Sequence, residues 1–228
     1  TCTIIILVCL VVIALAIVVP IFTNNVMENF ILHDNLAHTQ SYVLYIRKRE
    51  KYIKNVMNKL DIDAKYILGP PKAEVDREKL FKDGMLSKTY YDMNKKEEKG
   101  EVAVFLGHVS ILREFLKSDN KYALIFEDDI FLPKKEEEQK ELGKKIKHVI
   151  KNIPEEAEMV YFGYCFEDCK KAKPYKGNPE LFNHAVVPVC LHSYLVSKEG
   201  ARKLLDMIIP LTEGLDVAIL HLIRKKKI

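Results

Sequence analysis

The sequence predicts an α/β fold, a Rossmann-type mixed sheet flanked by helices, preceded by one N-terminal transmembrane helix. Three observations carry this. Residues 42–68 read as strand, basic turn, helix and strand, a βαβ unit of the kind that builds parallel sheets. Residues 122–126, YALIF, form a short apolar run that suits a fully buried strand, and three carboxylates follow it at once: Glu127, Asp128 and Asp129. Residues 4–22 are apolar and carry no charge.

That first segment has the roughly 20 residues a helix needs to cross a bilayer. A signal-peptide core spans only about 7–15 residues and ends in a small-residue cleavage site. A retained single-pass anchor over residues 1–23 is therefore the favoured reading over a cleaved signal. Residues 24–41 form a stem, and a folded domain fills residues 42–228. Residues 23–41 hold no Lys or Arg, which by the positive-inside rule puts this side of the membrane away from the cytoplasm. The domain then faces a lumen, of ER or Golgi type in a eukaryotic or viral setting.

The formal charge of +4 comes from 36 basic and 32 acidic residues, and part of the excess sits in the terminal run Arg224, Lys225, Lys226 and Lys227. No basic stripe interleaved with aromatics appears, so nucleic acid is not an expected partner.

The domain opens with a strand over residues 42–46. Arg47, Lys48 and Arg49 follow, then a helix with Ile53, Val56, Met57 and Leu60 on one face, then a strand over 63–68. Arg47 and Arg49 fall at the ligand edge of this unit, where they suit either an anion or a solvated helix start. Residues 69–99 are polar and poorly patterned, and read as a surface connection or a lid. A helix from Gly100 places Phe105, Val109, Leu112 and Leu116 on its inner face and carries His108. It leads into the acidic strand. The next helix buries Leu142, Ile146, Val149, Ile150 and Ile153, and strands follow over 159–163 and 194–196. Ser197 suits the N-cap of a helix over 198–208, and Asp216 that of a last helix over 217–223.

In α/β sheets ligands gather at the carboxyl ends of strands. Three acids there repel one another, and a hard divalent cation, Mg²⁺ or Mn²⁺, is the natural partner for them. A solvated turn is the plainer alternative. Cys165, Cys169 and Cys190 leave three readings open: a disulfide in an oxidising lumen, buried thiols, or a zinc site completed by His192.

In order and spacing, several blocks resemble glycosyltransferase family 25, the group that includes lipooligosaccharide and procollagen galactosyltransferases. They are residues 42–49 (YVLYIRKR), 100–108 (GEVAVFLGH), 122–130 (YALIFEDDI), 192–205 (HSYLVSKEGARKLL) and 215–217 (LDV). Two positions depart from the family pattern. Gly107 stands where the family has Ser, and Gly214 and Leu215 precede Asp216 where the family has Pro.

The resemblance implies a GT-A-like fold, with residues 42–228 as the catalytic domain. It implies a metal-dependent, inverting transfer of a hexose, galactose or glucose, from a UDP-sugar to a hydroxyl of a glycan or protein acceptor. Glu127 and Asp129 are the expected metal ligands for Mn²⁺ or Mg²⁺. Arg47, Arg49, Glu127 and Asp128 are expected to hold the donor. Asp216 is the expected general base, with His108 as second candidate. Two other readings stand beside this one: a catalytically silent GT-A-like module that binds nucleotide sugars or glycans, and, more remotely, a hydrolase with paired carboxylates. Adjacent acids on one strand end cannot readily straddle a bond.

Overall fold

The computed structural model describes residues 35–93 and 98–228. The anchor and most of the stem lie outside these residues. Among the described residues no helix is long and apolar enough to cross a membrane.

Five strands form one mixed sheet: β1 (Thr39–Tyr45), β2 (Ala64–Leu68), β3 (Tyr122–Glu127), β4 (Met159–Cys165) and β5 (Val189–Ser197), in the order β2-β1-β3-β5-β4. The βαβ reading of residues 42–68 holds: β1 pairs in parallel with β2, through helix α1 (Glu50–Leu60), and also with β3. β5 runs antiparallel to both β3 and β4. The carboxyl ends of β1, β2, β3 and β4 therefore share one edge with the start of β5.

Side chains alternate across a strand, and the sheet sorts its apolar residues into two cores. Tyr42, Leu44, Ile125 and Tyr194 pack on one face with Phe105 and Leu112 of α4 (Glu98–Lys117), Leu204 of α6 (Lys198–Ile208) and Ile219 of α7 (Leu215–Arg224). Val43, Leu124, Phe126 and Leu195 pack on the other with Ile53 and Met57 of α1 and Ile146 and Ile150 of α5 (Glu136–Lys151). β3 lies at the centre and is buried from Tyr122 to Phe126, as its unbroken apolar run predicts.

Residues 69–93 are more ordered than a surface connection. They form α2 (Arg77–Lys82) and α3 (Lys88–Asp92). Each starts on a side-chain cap: Asp76 accepts from the Lys79 amide, and Ser87 from the Tyr90 amide. Val75, Leu86 and Tyr90 are buried beneath them. Arg77 donates to the carbonyls of Tyr90, Tyr91 and Met93, tying the two short helices together. Helices this short span too few turns to show a period, so only the caps announce them.

α1 and α5 touch through Gly143, which lies against the carbonyl of Leu60. A Cβ there would run into the Leu60 carbonyl oxygen and carbon, which are backbone atoms held by the left-handed turn at Asp61. Gly143→Ala is expected to cost about 1–3 kcal/mol from overpacking, more than the ~1 kcal/mol that Ala gains over Gly in helix propensity. A lowered urea midpoint checks this; a midpoint equal to the parent's would mean that the two helices part freely.

Candidate functional site

The sheet's carboxyl edge collects the acidic triplet, and the three carboxylates take three different jobs. Glu127 ends β3. Asp128 turns inward: it is 7% exposed and accepts from the Ile46 amide at 2.6 Å and from Arg49 Nη1 at 2.8 Å. Asp128 thus fastens the turn after β1 to the turn after β3. Asp128 was expected to contact a donor; its oxygens hold the protein's own backbone and a guanidinium. Arg49 is thereby tied to Asp128 through Nη1 and lies 3.9 Å from Asp129 Oδ2. The hydrogen bond that Arg49 donates to Asp128 pushes the Arg49 pKa up. Arg47 sits exposed on the same 3-10 turn (Arg47–Arg49) and remains open to an anion.

Asp129 points out towards solvent, with its Oδ1 3.2 Å from His192 Nδ1. Glu127 Oε2 lies 3.6 Å from the same nitrogen. The register explains the meeting. Phe126 pairs with Ser193 across the antiparallel β3–β5 ladder, so the next step brings Glu127 alongside His192. Glu127, Asp129 and His192 each offer a ligand atom within 4.8 Å of the others. Two carboxylate oxygens and one imidazole nitrogen suit Mn²⁺ better than Mg²⁺, since Mg²⁺ sites are built from oxygen donors. Glu127 and Asp129 were expected here; His192 was foreseen only as a partner of the cysteines.

His108, the second candidate for the base, has contacts on both ring nitrogens. It is fully buried in α4, with Nδ1 3.0 Å from the Tyr194 hydroxyl and Nε2 3.0 Å from Glu127 Oε1. Burial, and then the Glu127 charge, push the Tyr194 hydroxyl well above its ordinary pKa, so it stays protonated. A chain in which Tyr194 O–H donates to Nδ1 and Nε2–H donates to Glu127 then satisfies every group. Burial alone would raise the Glu127 carboxyl, but His108 and then His192 outweigh it and hold Glu127 below the usual carboxylate range. His108 therefore helps to keep Glu127 ionised and oriented. Its neighbour Gly107 departs from the family pattern for a packing reason: a Cβ there would strike the Leu44 side chain, which fills that space from β1.

A cleft of about 540 Å³ opens beside these groups, lined by Glu127, His192, Asp216, Glu213, Glu101 and Tyr90 among others. No Lys or Arg is among the described residues that line it. Asp216 does not cap α7. Gly214 occupies the N-cap position, and Asp216 sits within the first turn. There its charge suits the positive end of the helix dipole, and its Oδ2 accepts from the Cys190 amide at 3.1 Å. Sequence spacing had assigned it the cap because the helix was expected to begin two residues later.

Cys165 and Cys190 form a disulfide, and Cys169 is an exposed thiol apart from them. The zinc set of all three cysteines with His192 is thus not assembled. The bridge staples two irregular stretches: β4 slips register near its end, and Cys190 adopts φ +64°, a left-handed conformation. Closing a loop of this span removes about 3 kcal/mol of chain entropy from the unfolded state. His192 Nε2 lies 3.5 Å from Cys165 Sγ, so the bridge packs directly against the carboxylate cluster.

Residues 26–219 match the sequence model of glycosyltransferase family 25 (LPS biosynthesis protein). No individual curated protein matches the chain.

Proposed function

The chain belongs to glycosyltransferase family 25, and from that membership we propose that it moves a hexose, galactose or glucose, from a UDP-sugar to a hydroxyl of a glycan or protein acceptor, with Mn²⁺ as the metal. The convergence of Glu127, Asp129 and His192, of which Glu127 and His192 line the cleft, carries this reading. A cation held there would act as a Lewis acid that neutralises the departing diphosphate. Asp128 and Arg49 fix the turn that presents Arg47, and Arg47 offers its charge to the diphosphate. His108 holds Glu127 in its ionised form. Asp216, on the cleft wall, takes the proton from the acceptor hydroxyl as it attacks. One base on the acceptor side supports a single in-line displacement with inversion, which the anomeric configuration of the product reports by NMR. The carboxylate lining favours an acceptor without negative charge near its reacting hydroxyl.

The direct test is thermal stabilisation by UDP and Mn²⁺. A rise in Tm is expected with both together that exceeds the sum of the two alone, followed by turnover in a panel of UDP-sugars. Cooperative stabilisation without turnover of any sugar would support the silent binding module instead. No response to either ligand would remove the donor reading.

The same reading puts the domain on the lumenal side of a membrane, anchored by residues 1–23. The disulfide suits an oxidising compartment. A chain lacking residues 1–23 is expected to stay in solution and unfold cooperatively, since the family match begins at residue 26 and β1 at Thr39. Aggregation without a cooperative transition would mean that the apolar segment belongs to the core.

A further inference from the structure

His192 belongs to two clusters at once. Its Nδ1 faces Asp129 and Glu127, and its Nε2 faces Cys165 Sγ. Ligand atoms of Cys165, Cys190 and His192 lie within 4.8 Å of one another, just as those of Glu127, Asp129 and His192 do. The two sets differ in chemistry. Carboxylates with an imidazole suit a hard or borderline cation, whereas two thiolates with an imidazole select zinc. Cys190 also lines the open cleft, so a small reductant can approach the bridge.

We infer that the Cys165–Cys190 bridge gates a second metal site: once a dithiol opens it, the two thiolates and His192 Nε2 bind one Zn²⁺ and take His192 away from the carboxylate cluster. The dithiol is oxidised to its own disulfide as the bridge becomes two thiols. Zn²⁺ then displaces the two thiol protons. Cys₂His with a fourth position left to water is an established catalytic-type zinc coordination, and the Cα–Cα separation of 5.6 Å keeps both sulfurs near one ion.

The exclusion follows from one lone pair. A neutral imidazole has a single unprotonated nitrogen. With the bridge closed, Nε2–H can point at the sulfur, and the Nδ1 lone pair is free for a cation beside Glu127 and Asp129. With zinc on Nε2, Nδ1 must carry the proton and donate it to Asp129, a carboxylate–histidine–zinc arrangement. The carboxylate cluster then offers two donors to its own cation in place of three. This step rests on the reading that Glu127, Asp129 and His192 hold the donor's metal.

The test uses the full chain in detergent, reduced with a dithiol and freed of it under argon. Co²⁺ serves as the optical stand-in for Zn²⁺. The reduced chain is expected to take up one Co²⁺ with a thiolate-to-cobalt absorption band, displaced by Zn²⁺. Cys165→Ser and Cys190→Ser should lack the band, and Cys169→Ser should keep it. Bound zinc should weaken Mn²⁺ binding by about tenfold or more, read as free Mn²⁺ by spin resonance, and His192→Gln should abolish that antagonism. Absence of the band, loss of the fold on reduction, or zinc and manganese binding without mutual effect would each overturn the inference. If the bridged chain binds no Mn²⁺ while the reduced chain shows the band, the carboxylate-site reading fails and the thiolate site stands.

Discussion

Asp129→Asn is expected to lower transfer by about 10²–10³-fold while leaving the ligand-free Tm close to the parent's. A Lewis-acid cation supplies several kcal/mol of charge stabilisation, and each ~1.4 kcal/mol is tenfold in rate. Stability should hardly move, because the Asp129 side chain is 39% exposed and meets His192 at 3.2 Å and Arg49 only at 3.9 Å. The neighbouring acid makes the contrast. Asp128 is buried under the Ile46 amide and Arg49, so Asp128→Ala should lose stability first, and activity with it. Two adjacent carboxylates thus separate into a ligand and a clamp by one pair of measurements, Tm and turnover. Near-full, Mn²⁺-dependent turnover of Asp129→Asn would remove Asp129 from the metal site.

That division of labour was not legible in the sequence. Three acids in a row announce a charged strand end, and the apolar run before them announces the buried strand. Which acid turns inward depends on where pairing stops, and β3 ends at Glu127. Long periodic elements were readable because burial imprints a period on them: α1, α6 and the inner face of α4 fall where their apolar spacing puts them. The Ser197 cap is where its hydroxyl predicts, accepting from the Gly200 amide.

What escaped depends on contacts between distant residues. His192 reaches Glu127 only through the β3–β5 register, and no local pattern encodes that register. Cys165 and Cys190 are brought together by the β4–β5 ladder and its slipped end, so spacing alone left three cysteines equivalent. His108 stood in the sequence as a second candidate for the base, and only the positions of Tyr194 on β5 and Glu127 on β3 show what its two nitrogens meet.

Asp216 presents the sharpest remaining choice, since it has a structural task and is proposed to have a chemical one. Its Oδ2 accepts from the Cys190 amide, at a residue held in a left-handed conformation beside the disulfide. Its carboxylate also lines the cleft with Glu127 and His192. The two tasks respond differently to substitution. Asn keeps a carbonyl oxygen that can accept from Cys190, so Asp216→Asn should retain Tm and the joint response to UDP and Mn²⁺. It cannot take up a proton, and loss of a general base typically costs about 10²–10⁴-fold in rate. Ala removes both functions and leaves the Cys190 amide without its acceptor, at a cost of about 1–3 kcal/mol. The expected pattern is therefore an Asn variant that is folded, binds donor and fails to transfer, beside an Ala variant that also loses stability. If the Asn variant turns over at the parent rate and only Ala is impaired, in proportion to its lost stability, then Asp216 is a tether. Glu213 and Glu101, which line the same cleft, would then be the next carboxylates to replace.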